Sequence, residues 1–383
     1  MKHRRAPTCL FSRTRTGTPH DLPSANYGEP FLSHSRKRER DSDALSPQGS
    51  CKMKALRSHQ PGGPATLSLD EVDAPSPGPG EVLIAIKACG INFPDTLIIE
   101  DLYQFKPPRP FSPGAEVAGL VEAVGEGVTG WQVDDRVAAI LISGGLCEKV
   151  AVPADRVFAL PDGVTFEVGA AMLLTYGTSI YALRNRANLQ AGETLLVLGA
   201  AGGTGLSAVE LGKAMGARVV AAVSNEEKAA LACAAGADET VIYGRPPFDR
   251  DQARALLGNF KAACGPGGAQ VIYDPVGGGY AEPAMRAIGW EGRYLVIGFT
   301  AGIPSLPLNL ALIKSADIRG VFYGEFMMRE PARNRSLVGE LFAMLQAGRI
   351  KPHISATFPL ERGGEAIALL SEGKALGKVV VQI

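Results

Sequence analysis

Leu195-Leu-Val-Leu-Gly-Ala-Ala-Gly-Gly-Thr-Gly-Leu206 runs an apolar strand straight into three glycines at three-residue spacing, Gly199, Gly202 and Gly205. The following Ser207–Met215 stretch is rich in Ala, Leu and Val and reads as a helix, so the pattern is strand, tight turn, helix. Such an elbow lets the backbone approach a pyrophosphate held at the helix N-terminus. A second strand, Arg218–Val223, ends in Ser224-Asn-Glu-Glu-Lys228. A cofactor with a free ribose 2′-hydroxyl usually meets an acidic residue at that strand end; here Ser224 stands there, with Lys228 four residues on. A hydroxyl and an ammonium suit a 2′-phosphate, which favours NADPH over NADH, and Tyr243 at the end of the next strand is placed to cover the same phosphate. A blander reading stays open, in which Ser224 caps the next helix and Lys228 is only solvated.

Working outward, the 383 residues suffice for two domains with full cores. The formal net charge is zero, but residues 1–52 carry ten Lys/Arg against five Asp/Glu, which leaves the remainder net negative. The globular part is therefore not expected to bind nucleic acid, and no apolar run of membrane-spanning length or signal core predicts a membrane partner. The six cysteines form no Cys-x-x-Cys pair, so neither a disulfide framework nor a structural zinc site is expected, and reduced thiols point to the cytoplasm. Residues 1–52, rich in Arg, Ser and Pro, are expected to be a disordered basic extension. It is either an organelle-targeting segment, which would make the location mitochondrial, or an upstream extension with Met53 opening the first strand.

From Met53 to Pro161 the chain alternates short strands with glycine turns: Leu67–Val72, Glu81–Ala88, Val117–Val124, Arg136–Ile140 and Cys147–Val152. Phe166–Asn188 reads as one helix. Strands and helices then alternate through Gly298, which predicts a doubly wound parallel sheet. Past Gly320 come a helical stretch at Arg335–Ala347 and strands at His353–Phe358 and Lys378–Ile383, expected to rejoin the first domain. The fold class is thus α/β: a mostly β domain over 53–175 and 320–383, with a nucleotide domain over 176–319 inserted in it.

Pro79-Gly-Glu-Val82, Cys89-Gly-Ile-Asn-Phe-Pro-Asp95, Pro113-Gly-Ala-Glu-Val-Ala-Gly119, Asp135-Arg-Val137, the glycine elbow, Asp274-Pro-Val-Gly-Gly278 and Gly377-Lys-Val-Val380 follow one another in an order that resembles the medium-chain dehydrogenase/reductase superfamily. Within it the chain is similar to the zinc-free quinone oxidoreductases of zeta-crystallin type, over about Met53–Ile383. The resemblance implies a GroES-like catalytic domain, a Rossmann domain and a homodimer. It also implies a cofactor contact at Thr178, which joins those expected at Gly199, Gly202, Gly203, Thr204 and Gly205 of the elbow, at Ser224, Lys228 and Tyr243, at Gly298 and Phe299 where a late strand of the doubly wound sheet ends, and at Lys378. Asn92 and Tyr103 would line the acceptor site, Tyr103 delivering the proton. Plainer roles stay open: Asn92 stabilising a turn, Tyr103 packing on Pro107-Pro108, Thr178 bonding back along its helix.

Zinc alcohol dehydrogenases of the same superfamily place a Cys ligand where Asn92 stands and a His ligand where Ala115 stands. Glu116 alone cannot build an open three-ligand zinc site, so no metal is expected. Without a metal, the protein must position a hydride donor against an electron-poor acceptor and stabilise the anion that forms, which suits quinones and conjugated enones. An enoyl-thioester reductase and a non-catalytic NADPH-binding module remain the alternatives.

Overall fold

Glu81–Ile91 is the spine of the first sheet because two β-bulges, between Leu83 and Ile84 and between Ile86 and Ala88, curve it enough to serve several partners. It pairs antiparallel with Glu116–Val124 along its length, with Lys149–Pro153 at its first half and with Lys378–Gln382 at its second. The sheet has seven strands, in the order Ile354–Pro359, Lys378–Gln382, Glu81–Ile91, Glu116–Val124, Arg136–Ile140 and Val157–Ala159, with Lys149–Pro153 added on the spine. Only the Ile354–Pro359 pairing is parallel. The computed structural model describes residues 51–383, so the expectation for the extension falls, up to residue 50, outside the described residues.

The helical stretch expected over Phe166–Asn188 is divided into Phe166–Gly169, Leu173–Ile180 and a π-helical turn at Tyr181–Arg186. Its break has a steric cause. The Ala170 carbonyl oxygen lies where a Cβ on Gly90 would come within 1.8 Å, so the spine strand carries the crossover segment directly on its backbone. A helix running unbroken would not turn its carbonyl into that space.

The second sheet has six parallel strands in the order Glu239–Ile242, Arg218–Val223, Thr194–Leu198, Ala269–Asp274, Ile288–Val296 and Asp317–Gly320. Its central strands, Arg218–Val223, Thr194–Leu198 and Ala269–Asp274, are mostly apolar and buried, as burial on both faces demands. One face packs with Leu196, Val220, Phe260 and Ile272. The other shares a core with the crossover helix Leu173–Ile180 and with Ala88, Ala118 and Ala138 of the first sheet. After residue 320 the chain divides its loyalties. Leu337, Val338, Leu341 and Phe342 of helix Pro331–Gln346 lie in that shared core, whereas Ile354–Pro359 and Lys378–Gln382 complete the first sheet. No helix of the described residues is long and apolar enough to cross a membrane.

The elbow is held by one close approach. Gly202 caps helix Gly203–Ala214, and a Cβ on Gly205 would sit 2.1 Å from the Gly199 carbonyl oxygen, so the helix can start against the strand end only with glycine at 205. Gly339, exposed in helix Pro331–Gln346, has open space where a Cβ would stand, with nothing within 4 Å. The two glycines therefore predict opposite signs in chemical denaturation. Gly205→Ala should destabilise by roughly 1–3 kcal/mol through overpacking. Gly339→Ala should stabilise by about 0.5–1 kcal/mol through helix propensity. Equal signs would show that the approach at Gly205 is relieved without cost.

Candidate functional site

Three polar side chains meet at the point where the two sheets come together. Glu116 is fully buried at the start of its strand; Asn92 follows the spine strand; Lys378 opens strand Lys378–Gln382 and is 3% exposed. The Lys378 ammonium donates to the Ile91 carbonyl at 3.2 Å, to Asn92 Oδ1 at 2.6 Å and to Glu116 Oε2 at 3.0 Å. Asn92 Nδ2 donates to the Gly90 carbonyl and to Glu116 Oε2, both at 3.1 Å. Glu116 Oε1 accepts the Leu174 N–H at 2.9 Å, at the head of the crossover helix. A buried charge pair survives only when its remaining hydrogen-bonding capacity is satisfied, and here every ammonium hydrogen and both amide hydrogens have protein acceptors.

All three ammonium hydrogens of Lys378 and both amide hydrogens of Asn92 thus point to protein acceptors. Asn92 also precedes the short helix Phe93–Ile98, where its N–H donates to Asp95 Oδ2 at 2.8 Å. Asp95 Oδ1 accepts the Gly114 N–H at 3.0 Å. Tyr103 is half-buried against the core of the first sheet, its ring 5.9 Å from that of Phe105. Burial, with the nearby Asp95 charge, holds the Tyr103 hydroxyl above the usual phenol range, so it keeps its proton and stays a donor.

At the far end of the elbow, Ser224 does not cap the next helix. Asn225 does, its side chain accepting the Lys228 N–H at 2.9 Å, and the half-buried Ser224 hydroxyl meets no protein partner among the described residues. The Lys228 ammonium donates to the Gly373 carbonyl at 3.1 Å. Burial lowers its pKa, and so does the positive charge of Arg245. Arg245, two residues past Tyr243, escaped the sequence reading; its signal was only that a second cation follows the strand end. Tyr243 is buried with its ring 4.6 Å from that of Tyr280. The Arg245 charge thus adds to the electrostatic cost of the Lys228 ammonium.

The remaining expected contacts surround the elbow. Thr178 is half-buried on the crossover helix and its hydroxyl has no protein acceptor among the described residues, whereas Thr175 one turn earlier bonds back to Ala171 at 3.2 Å. Thr204 sits on the first turn of helix Gly203–Ala214, and its carbonyl accepts from Ser179 and Ser207. Gly298 follows strand Ile288–Val296, its N–H donating to the Asp274 carbonyl at 3.3 Å, and Phe299 beside it is 44% exposed. Asp274 is a turn former: its Oδ1 accepts from Val276 and Gly277, and its Oδ2 from the Tyr294 hydroxyl. Glycine φ at 199 is +59°, and Gly202, Gly203 and Gly205 leave their helix N-terminus without side chains, a cradle that fits a pyrophosphate.

Comparison with known proteins decides the family. Residues 78–162 match the alcohol dehydrogenase GroES-like domain and residues 203–337 the zinc-binding dehydrogenase domain. Quinone oxidoreductase-like protein 2 of Bos taurus is 36% identical over 320 residues, 83% of this chain and 89% of that protein. The chain belongs to the zinc-free quinone oxidoreductase branch of the medium-chain dehydrogenase/reductase superfamily. A homologue of the same relative in Nematostella vectensis is 33% identical over 90% of this chain and 93% of its own. Among solved structures, the Escherichia coli quinone oxidoreductase complexed with NADPH has a TM-score of 0.79 at 28% identity, covering 86% of this chain and all of that one. A mycobacterial protein complexed with NADPH has a TM-score of 0.80 at 31% identity with the same coverage. The expected fold, a GroES-like domain with a Rossmann sheet, stands for this quinone oxidoreductase relative.

Asp95 offers a test of the buried cluster. Burial raises its carboxyl from 3.8 to about 6, against the opposing pull of the Asn92 and Gly114 N–H groups and of Lys378. An acid harder to ionise folded than unfolded favours folding while protonated. Its contribution is complete below about pH 3.8 and is lost as the pH rises through about 6, by roughly 3 kcal/mol in all. Wild type should therefore lose roughly that much stability relative to Asp95→Asn between pH 4 and pH 7 in urea titrations. A difference between the two proteins that stays constant over this range would refute the raised carboxyl.

Proposed function

We propose that the protein is an NADPH-dependent oxidoreductase that reduces a quinone or a related α,β-unsaturated carbonyl without zinc. The observation that carries the metal-free part is the Lys378 ammonium 3.0 Å from Glu116 Oε2. A divalent cation at this carboxylate would have to displace a buried ammonium, with Asn92 and Ala115 in place of the thiolate and imidazole that zinc relatives use there. Among the described residues no group of three His, Cys, Asp or Glu is placed to hold a metal.

The elbow glycines would hold the pyrophosphate of NADPH, and Ser224, Lys228 and Arg245 its 2′-phosphate, with Tyr243 behind them. The nicotinamide supplies a hydride when bound. Thr178, with its hydroxyl free, and the Gly298 to Phe299 backbone would orient that ring. Tyr103 keeps its proton to the alkaline side of neutrality and is the donor that meets the developing enolate or quinol oxygen, so hydride and proton together complete a two-electron reduction.

The test follows oxidation of NADPH and of NADH with tetramethyl-1,4-benzoquinone, an enone and an enoyl-CoA, each with and without a chelator. Chelator-insensitive turnover of quinone or enone with NADPH preferred is the expected result. Turnover with the thioester alone would move the assignment to an enoyl reductase, and tight NADPH binding without turnover would make the protein a binding module. Replacing both cations, Lys228→Ala with Arg245→Ala, should raise KM for NADPH by about 10–100-fold, the loss of one to two charged hydrogen bonds, while kcat and the NADH kinetics stay put. Unchanged KM would remove the phosphate from this site.

A homodimer belongs to the same proposal. Asp317–Gly320 is paired on one side only, by Ile288–Val296, and Ile318 on it is exposed together with Leu312, Ile313 and Phe322 nearby. An unpaired apolar edge of this kind is a template for a second strand, and Asp317 and Arg319 flanking Ile318 would face each other's counterpart in an antiparallel pair. Ile318→Asp with Leu312→Asp should halve the mass in light scattering; an unchanged mass would place the contact elsewhere. The five described cysteines are free thiols, which supports a reducing compartment such as the cytoplasm.

A further inference from the structure

The buried cluster and the elbow are joined through two adjacent residues. Gly377 N–H donates to the Ala201 carbonyl at 2.8 Å and pairs with Gly202, so it touches the nucleotide cradle itself. Lys378, the next residue, holds Asn92 and Glu116 on the acceptor side, and its stem runs along the cradle, with Cδ 3.3 Å from where a Cβ on Gly203 would stand. Glu116 passes the connection on to Leu174, at the head of the helix that carries Thr178. Gly377 has φ +73°, and a Cβ there would come within 2.5 Å of the His353 carbonyl, so the dipeptide is locked in place from behind.

We propose that Gly377-Lys378 is a latch that couples occupation of the nucleotide cradle to the order of the acceptor-side segment around Asn92, with Lys378 acting as a positioning residue. Loading the elbow fixes Ala201 and Gly202, which fixes Gly377; the ammonium that follows it then holds Asn92 Oδ1 and Glu116 Oε2 in one arrangement. This inference rests on the NADPH reading above. A saturated ammonium serves such a purpose better than a free one, because none of its bonds is spent on the ligand and all of them report the backbone position of Gly377.

The test is hydrogen exchange on the full chain with and without NADP+, read in the elbow segment 199–215 and in the acceptor-side segment 90–98. Lys378→Met is compared with Lys378→Met/Glu116→Gln, the second variant removing both buried charges so that loss of the latch is separated from an uncompensated carboxylate. In wild type, NADP+ should slow exchange in both segments, by about tenfold in 90–98, a coupling of ordinary size. In the charge-balanced double variant the elbow should still be protected while protection of 90–98 falls below about twofold. Elbow protection without any effect on 90–98 in wild type would overturn the latch and leave the NADPH reading standing. Equal protection of both segments in the double variant would overturn it too, and no elbow protection in wild type would remove both.

Discussion

The structure depends on one buried ion pair. Glu116 and Lys378 lie 262 positions apart in sequence, on neighbours of the spine strand Glu81–Ile91, and neither reaches solvent. Such a pair adds little net stability, since desolvation offsets most of the attraction, yet loss of one partner leaves a bare charge at a cost of about 3–5 kcal/mol. Its effect is therefore on arrangement. It lets the C-terminal strand return beside the spine strand in one register only, it draws the head of the crossover helix to Glu116, and it brings Gly377 against the elbow.

A second constraint is absence of bulk. Gly90 admits the Ala170 carbonyl and Gly205 admits the Gly199 carbonyl, so the crossover segment and the elbow helix both start closer to a strand than any side chain would permit. Electrostatically, Lys228 is disfavoured as a cation by burial and by Arg245, while Asp95, near the neutralised Glu116–Lys378 pair, resists ionisation through burial.

Local patterns made much of this legible. The central parallel strands were readable because they are apolar on both faces, and the elbow because its glycines stand between a strand and a helix, whereas the polar edge strand Asp317–Gly320 carries no such pattern and was missed. The broken helix after Phe166 was not readable, since the segment at the break packs on Gly90, far away in sequence. Asn225 took the cap that Ser224 was eligible for, a choice between neighbours that only backbone direction settles. Arg245 and Asp95 were invisible as site residues because nothing in their own surroundings in the chain distinguishes them from a loop cation and a helix-start acid.

The sequence by itself determined the two sheet types, the elbow and the absence of zinc-type ligands at Asn92 and Ala115, because hydrophobic period, glycine spacing and donor chemistry are properties of short stretches. Only the tertiary structure decided what Asn92 and Lys378 do. A side chain's hydrogens are assigned by whatever acceptors the fold brings to it, and here residues from three distant segments, Ile91 with Asn92, Glu116 and Lys378, use up one another's capacity.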